Sequence, residues 1–126
     1  MKLLLIILLS IFSLNLSANE KTIAESSYNF IKINIGQGKP YFLELGSDKC
    51  HGCKDMGIEL YKVTQEHPNY NISYVNISKD RRVAQTLGIS MIPTQIIYDK
   101  DGKEVYRHVG KLSPQELADA LKKYKF

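Results

Sequence analysis

The 126-residue chain has few or none of several residue types that particular protein classes depend on. It contains no tryptophan, two cysteines and three histidines. Two cysteines are too few for a miniprotein held together by disulfides, and the length excludes a multidomain enzyme. The net charge of +4 is mild and the basic residues form no dense stripe, so we expect no nucleic-acid partner. With 44% hydrophobic and 24% charged residues, the composition is that of a folded globular protein.

Long apolar runs are absent except at the beginning of the chain. There, Met1-Lys2 forms a short basic start, residues 3–16 are almost wholly apolar, and small residues end the run at Ala18. This order is typical of a secretory signal peptide. At about 1.5 Å per residue the run would span roughly 21 Å, less than the ~30 Å of bilayer hydrocarbon. We therefore predict a cleaved signal peptide over residues 1–18 and one exported domain over residues 19–126. An uncleaved membrane anchor is the alternative.

Hydrophobic spacing and turn residues predict alternating strands and helices after the signal peptide. The predicted strands are 41–45, 72–77, 95–98 and 103–109. The predicted helices run from the cysteine pair to about 66, from about 80 to Gly88, and from Ser113 onwards. Helices between the early strands indicate parallel pairing, whereas Asp101-Gly102 indicates an antiparallel hairpin. The result is an α/β fold with a small mixed central sheet and helices on both faces. Residues 19–34 fit neither period clearly.

The two cysteines form the motif Cys50-His51-Gly52-Cys53 between a predicted strand and a predicted helix. At a helix start, unsatisfied backbone N–H groups and the helix dipole favour the thiolate form of Cys50. Cys53 would lie in the first turn, more shielded but within reach of Cys50. Such a pair supports attack on a partner, a mixed disulfide and resolution by the second thiol. His51 as imidazolium would stabilise the thiolate, and Gly52 would let a substrate approach closely.

Two close cysteines could also form a structural disulfide, bind zinc or attach a haem. A structural disulfide is one alternative, although so short a loop would constrain the unfolded chain little. A zinc site needs two further ligands, and only His51, His67 and His108 are available, so we expect no metal. Covalent haem attachment needs a histidine directly after the second cysteine, but Lys54 occupies that position.

Several motifs in order along the chain resemble the thioredoxin superfamily, in particular its exported thiol:disulfide oxidoreductases. The apolar segment 42–45 leads to the cysteine motif, segment 74–78 precedes a helix and Ile92-Pro93-Thr94, and the hairpin ends in Val109-Gly110. These segments cover most of the chain from about Lys39 onwards. The resemblance implies a thioredoxin-like fold and an active site that needs no cofactor.

The resemblance also implies roles for the cysteines and for one acid. Cys50 corresponds to the exposed nucleophile and Cys53 to the buried resolving thiol of a redox-active disulfide. Glu44 corresponds to a buried acid that helps to move the proton of the resolving thiol. An acid in a central apolar strand should have a raised pKa and could act as a base. The alternative for Glu44 is an exposed position at a sheet edge, since buried acids are uncommon.

A substrate-binding groove is implied as well. Pro93 corresponds to the family's cis-proline, which faces the cysteine pair and leaves the neighbouring backbone free to pair with an extended substrate. Ile92 and Gly110 would line the same groove. Taken alone, Pro93 would be an ordinary proline at the start of a strand.

Three positions depart from the common pattern of the family. Lys49 stands where tryptophan commonly precedes the first cysteine, His51-Gly52 replaces Gly-Pro, and Tyr74 replaces a strand lysine near the buried acid. The redox potential therefore does not transfer from the family to this chain.

We predict a periplasmic thiol:disulfide oxidoreductase that reduces disulfides of exported proteins. Ile92 before Pro93 resembles the reducing members of the family more than its oxidases and isomerases. A monomeric reductase of this kind would act on exported protein thiols and disulfides and receive electrons from a membrane thiol transporter. The alternatives are a disulfide-forming oxidase, favoured by His51, and a noncatalytic module that binds a partner or a metal.

Overall fold

The fold is described here for residues 19–126, from a computed structural model of the chain. The predicted signal peptide, residues 1–18, lies outside the described residues. In chain order the elements are α1 (Tyr28–Asn34), β1 (Tyr41–Gly46), α2 (His51–Glu66), β2 (Asn71–Asn76), α3 (Arg81–Leu87), β3 (Thr94–Tyr98), β4 (Glu104–Val109) and α4 (Pro114–Lys123). The predicted α/β fold is confirmed, and each predicted strand end lies within one residue of the observed one.

The four strands form one mixed sheet in the order β2-β1-β3-β4. β1 pairs in parallel with β2, and β3 is antiparallel to both β1 and β4. α2 provides the long crossover that a parallel pair requires, whereas a tight turn joins β3 to β4. In that turn the Asp99 carboxylate accepts hydrogen bonds from the N–H groups of Asp101 and Lys103, both at 2.9 Å. Gly102 adopts a φ of 89°, which favours glycine.

β1 is the central strand and is buried along its whole length. Leu43 packs with Ile31 of α1 and Val83 of α3, whereas Phe42 packs with Leu60 of α2 and with α4. Because successive side chains of a strand point to opposite faces, α1 and α3 cover one face of the sheet. α2 and α4 cover the other face, as the prediction of helices on both faces requires.

The ends of α3 and α4 follow local signals in the sequence. The Ser113 hydroxyl accepts a hydrogen bond from the Glu116 N–H at 3.1 Å, and the Glu116 carboxylate accepts one from the Ser113 N–H at 3.0 Å. This reciprocal pair, with Pro114 at the first helical position, confirms the predicted start of α4. α3 begins after Asp80, which caps it, and ends at Gly88 in the left-handed conformation.

α1 was not predicted, because its sequence shows little helical pattern. It has seven residues, its N-cap Ser27 makes no side-chain hydrogen bond, and Ile31 is its one buried residue. Phe30 and Ile33 are 60% and 65% exposed. Two turns with one buried side chain are too short to show a hydrophobic period.

The segment before α1 packs across α2 and the edge strand β2. The Ile23 N–H donates to the Gly57 carbonyl at 3.0 Å, and the Ser26 N–H donates to the Tyr74 carbonyl at 2.8 Å. A covered edge strand is protected from pairing with another chain. Within residues 19–126, no helix is both long and apolar enough to cross a membrane.

Two glycines differ in how much room a methyl group would have, Gly46 where β1 meets α2 and Gly57 where α2 meets the segment before α1. A Cβ at Gly46 would lie 3.0 Å from the Cys53 Sγ and 3.2 Å from a ring carbon of Tyr74, whereas a Cβ at Gly57 would meet Thr22 at 3.4 Å. We expect Gly46→Ala to lower the free energy of unfolding by about 1–3 kcal/mol through overpacking. Gly57→Ala, inside a helix with room for a methyl group, should raise it by up to about 1 kcal/mol. Urea denaturation measures both, and equal effects of the two substitutions would contradict this packing.

Candidate active site

The cysteine motif lies at the N-terminus of α2, where Cys50 and Cys53 form a disulfide. Cys50 is the N-cap of the helix, and its Sγ accepts a hydrogen bond from the Cys53 N–H at 3.3 Å. Cys50 is partly exposed, whereas Cys53 is only 6% exposed. An attacking partner therefore has access to Cys50, and Cys53 is shielded beneath it.

Lysines outnumber acidic residues around the motif, with Lys49, Lys54 and Lys111 against Asp48 and Asp55. His51 and Lys54 are exposed on either side of Gly52, and the first turn of α2 has no acidic residue. The nearest acid along the helix, Asp55, accepts a hydrogen bond from the Lys111 ammonium at 2.9 Å, and this bond lowers the pKa of Asp55. Basic neighbours and the free N–H groups of a helix start both favour a thiolate at the first cysteine.

Pro93 and Gly110 lie beside the motif, although both are distant from it in the chain. The Ile92–Pro93 peptide bond is cis. A Cβ at Gly52 would lie 3.5 Å from the Pro93 Cδ and 3.3 Å from the Lys111 Cγ, so the β3 and β4 loops meet at this glycine. The Gly110 N–H donates to the Pro93 carbonyl at 2.8 Å, and Gly110 has a φ of 99°. Ile92 is partly exposed, which is compatible with the predicted groove.

Glu44 lies inside the protein, with 1% of its surface exposed. This burial excludes the alternative of an exposed edge residue. Burial raises the pKa of Glu44 to about 8, and a hydrogen bond from the Gln95 amide to its Oε1, at 3.3 Å, acts in the opposite direction. Among residues 19–126, its Oε2 has no hydrogen-bond partner. Glu44 shares a face of β1 with Gly46, where a Cβ would touch Cys53, so the carboxyl lies on the side of the strand that faces the disulfide.

A cavity of about 440 Å³ opens beside the shielded cysteine. It lies between the segment 22–25 and α2, and Cys53, Asp48 and Tyr74 contribute to its lining. Burial, with smaller contributions from the charges of Glu25, Asp48 and Glu44, raises the pKa of Tyr74 to about 12. Thr22, Ile23 and Ala24 of the segment before α1 form its opposite wall. Sequence reasoning missed it, since residues 19–34 showed no clear pattern.

Gln95, His108 and Lys111 were also not identified from the sequence as residues of the site. Lys111 packs over Gly52, and Gln95 is fully buried between Glu44 and His108. A glutamine inside an otherwise apolar strand, directly after Pro93-Thr94, was the one signal available. Among residues 19–126, no three His, Cys, Asp or Glu side chains are grouped so that they could hold a metal ion.

The chain is similar to a known protein family and to known proteins. A family model of the thioredoxin-like domain matches residues 29–125. The chloroplastic thioredoxin-like protein HCF164 of Oryza sativa subsp. japonica is 30% identical over 88 residues, which make up 68% of this chain and 34% of that protein. The thiol-disulfide oxidoreductase ResA of Bacillus anthracis is 25% identical over 117 residues, covering 74% of this chain and 68% of that protein. The chain thus spans about a third of the length of HCF164.

The fold is also found among solved structures. Oxidised mitochondrial thioredoxin 3 of Saccharomyces cerevisiae superposes with a TM-score of 0.68 at 20% identity. The superposition covers 80% of this chain and 94% of that one. At this identity the likeness concerns the fold alone.

The raised pKa of Glu44 makes stability depend on pH in a defined direction. A carboxyl with a pKa of about 8 when folded and 4.5 as its ordinary value binds its proton more tightly in the folded protein. Its contribution to stability is therefore full below about pH 4.5 and is lost as the pH rises through about 8. We expect oxidised wild-type protein to lose a few kcal/mol relative to Glu44→Gln over this range, on the order of 1.4 kcal/mol per pH unit. Urea denaturation across the range measures this, and parallel stability curves would show that Glu44 does not titrate this way.

Proposed function

The chain belongs to the thioredoxin-like domain family, and on this premise we propose that it is a thiol:disulfide oxidoreductase. One observation carries the proposal: the Cys50–Cys53 disulfide caps α2 with one sulfur accessible and the other shielded. This asymmetry assigns attack on the substrate to Cys50 and resolution to Cys53.

Reduction of a substrate disulfide proceeds in two exchanges. The Cys50 thiolate attacks one substrate sulfur, so that a bond forms between them, the substrate S–S bond breaks, and one substrate thiolate leaves. Cys53, once deprotonated, then attacks the Cys50 Sγ, and the mixed disulfide breaks to release the second substrate thiolate. The substrate gains two electrons and, with solvent protons, becomes a dithiol, while the Cys50–Cys53 disulfide is restored.

Glu44 is the base we assign to the second exchange. Its Oε2 has no partner, it lies on the face of β1 that meets Cys53, and burial brings its pKa into the range where thiols titrate. The cavity beside Cys53 opens on the side of the shielded cysteine. A carboxylate at Glu44 would take the Cys53 proton as the thiol attacks.

The substrate is proposed to bind in the groove formed by Ile92, Pro93 and Gly110. Pro93 is held beside Gly52, and the exposed apolar side chains of Met91 and Val109 flank it. An extended peptide segment would contact these apolar side chains and pair with the backbone of Ile92 before Pro93.

We place this activity outside the cytosol, on exported proteins, with reduction as its direction. The predicted signal peptide supports the location, and N-terminal sequencing of exported protein, expected to begin at Asn19, checks it. The direction is supported by Ile92 in the groove. Reduction in an oxidising compartment needs a supply of electrons, for which a membrane thiol transporter is the proposed donor.

Loss of either cysteine separates the two exchanges. Cys50→Ser should lower the turnover of insulin disulfide reduction by about 10³-fold or more, because it removes the nucleophile. Cys53→Ser keeps the nucleophile and should accumulate a mixed disulfide with the substrate, visible by nonreducing electrophoresis and mass spectrometry. Turnover that survives Cys50→Ser would refute the proposal.

The opposite direction, disulfide formation, is favoured by the exposed His51 beside the nucleophile. An imidazolium there would stabilise the thiolate and so favour the reduced protein. A reductase should have a potential close to about −270 mV and an oxidase one close to about −120 mV. Equilibration of the Cys50–Cys53 pair with glutathione measures the potential. We expect the lower value, and a value near the upper one would assign the chain to disulfide formation.

A further inference from the structure

A row of four side chains crosses the whole sheet beside the active site. Tyr74 of β2, Glu44 of β1, Gln95 of β3 and His108 of β4 are direct cross-strand neighbours. The row lies on the face covered by α2 and α4. One step further from the disulfide on that face, the corresponding neighbours are Ile72, Phe42, Ile97 and Tyr106. Polar groups on this face are therefore concentrated between the hydrophobic core and Cys53.

Hydrogen bonds connect three members of the row. His108 Nδ1 lies 2.8 Å from Gln95 Oε1, and Gln95 Nε2 donates to Glu44 Oε1 at 3.3 Å. Gln95 is 0% exposed and Glu44 1% exposed, so neither has water as an alternative partner at these atoms. In this orientation of the Gln95 amide, the proton of the first hydrogen bond lies on His108 Nδ1, because an amide oxygen only accepts.

The opposite orientation of the Gln95 amide would require different protonation at both ends. With the amide turned over, Oε1 would face the Glu44 carboxyl, and two acceptors would meet unless Glu44 carried a proton. Gln95 Nε2 would then face His108 Nδ1, which would have to be unprotonated. The orientation of Gln95 is thus coupled to the proton on Glu44 at one end and to the tautomer of His108 at the other.

We propose that Gln95 and His108 are positioning residues for Glu44, in which the His108 Nδ1–H fixes the Gln95 amide so that its N–H points at the carboxylate. The N–H at Oε1 stabilises the charged form of Glu44 and leaves Oε2 as the oxygen that accepts a proton. Without this arrangement the buried carboxyl would stay protonated over a wider pH range. The effect on turnover rests on the proposed function, whereas the effect on Glu44 itself does not.

Titratable groups flank this hydrogen-bonded row at both ends. Tyr74 from β2 and the Cys53 sulfur from α2 lie near the Glu44 end. Tyr106 stacks beside His108 on β4, with ring centroids 6.4 Å apart, and Tyr124 of α4 packs against Tyr106. Burial raises the pKa of Tyr74 and of Tyr106, so both rings are uncharged near neutral pH. The charges of Glu25 and Asp48 act on Tyr74, and that of Glu116 acts on Tyr106.

The test compares two substitutions of His108 in oxidised protein, in which no turnover occurs. His108→Leu removes the donor, and His108→Asn keeps an N–H near the position of Nδ1. We follow the Glu44 side-chain carboxyl by ¹³C NMR during a pH titration. The midpoint should rise by about one pH unit in His108→Leu and stay at the wild-type value in His108→Asn. An unchanged midpoint in His108→Leu, or equal shifts in both variants, would overturn the proposal.

A second measurement needs no substitution and covers the case in which His108→Leu does not fold. Above the Glu44 midpoint, ¹⁵N NMR of the wild-type imidazole should show the proton of His108 on Nδ1. A ring protonated on Nε2 alone would overturn the proposal.

In His108→Leu the pH dependence of insulin reduction should shift upward with the Glu44 midpoint. Loss of the NMR effects with intact Cys50-dependent turnover rejects this inference and leaves the oxidoreductase standing. The expected NMR effects in a protein without any turnover would support this inference and reject the proposed function.

Discussion

β1 is buried on both faces, and this burial requires α1 and α3 on one side of the sheet and α2 and α4 on the other. Since β1 leads directly into the cysteine motif, the packing of α2 against its face also places the disulfide. Gly46 at the end of the strand permits the close approach, because a side chain there would lie 3.0 Å from the Cys53 sulfur. The position of the site thus follows from the packing of the core.

The same burial determines the chemistry of Glu44. A carboxyl in a central strand loses its hydration, so its neutral form is favoured and its pKa rises to about 8. Only neighbouring strands and α2 can supply partners there, and Gln95 provides the one hydrogen bond. The buried carboxyl with its raised pKa therefore lies on the side of β1 that faces the thiol whose proton must be removed. The hydrogen bond from Gln95, which His108 orients, lowers that pKa again.

Much of the fold could be predicted because its signals are local. The Asp-Gly turn, the Ser113 capping box and Gly88 depend on residues that are close in the chain, and the structure shows each of them. α1 could not be predicted, since its one buried residue gives no period. The segment 22–26 could not be placed either. It binds α2 and β2 through backbone hydrogen bonds, which no side-chain pattern signals, and through Glu25, whose partners Asn76 and Lys79 lie far along the chain.

By itself the sequence determined the order of the elements, the redox motif at a helix start and the acid in the central strand. Hydrophobic period, capping and spacing depend on residues that are close together in the chain, so the sequence alone is enough to identify them. Tertiary structure alone decided that Pro93 lies against Gly52, that Tyr74 and Cys53 enclose a cavity, and that Glu44, Gln95 and His108 form one hydrogen-bonded row. The physical reason is that these contacts join residues far apart in the chain. They depend on strand register and on the packing of α2, which no local pattern specifies.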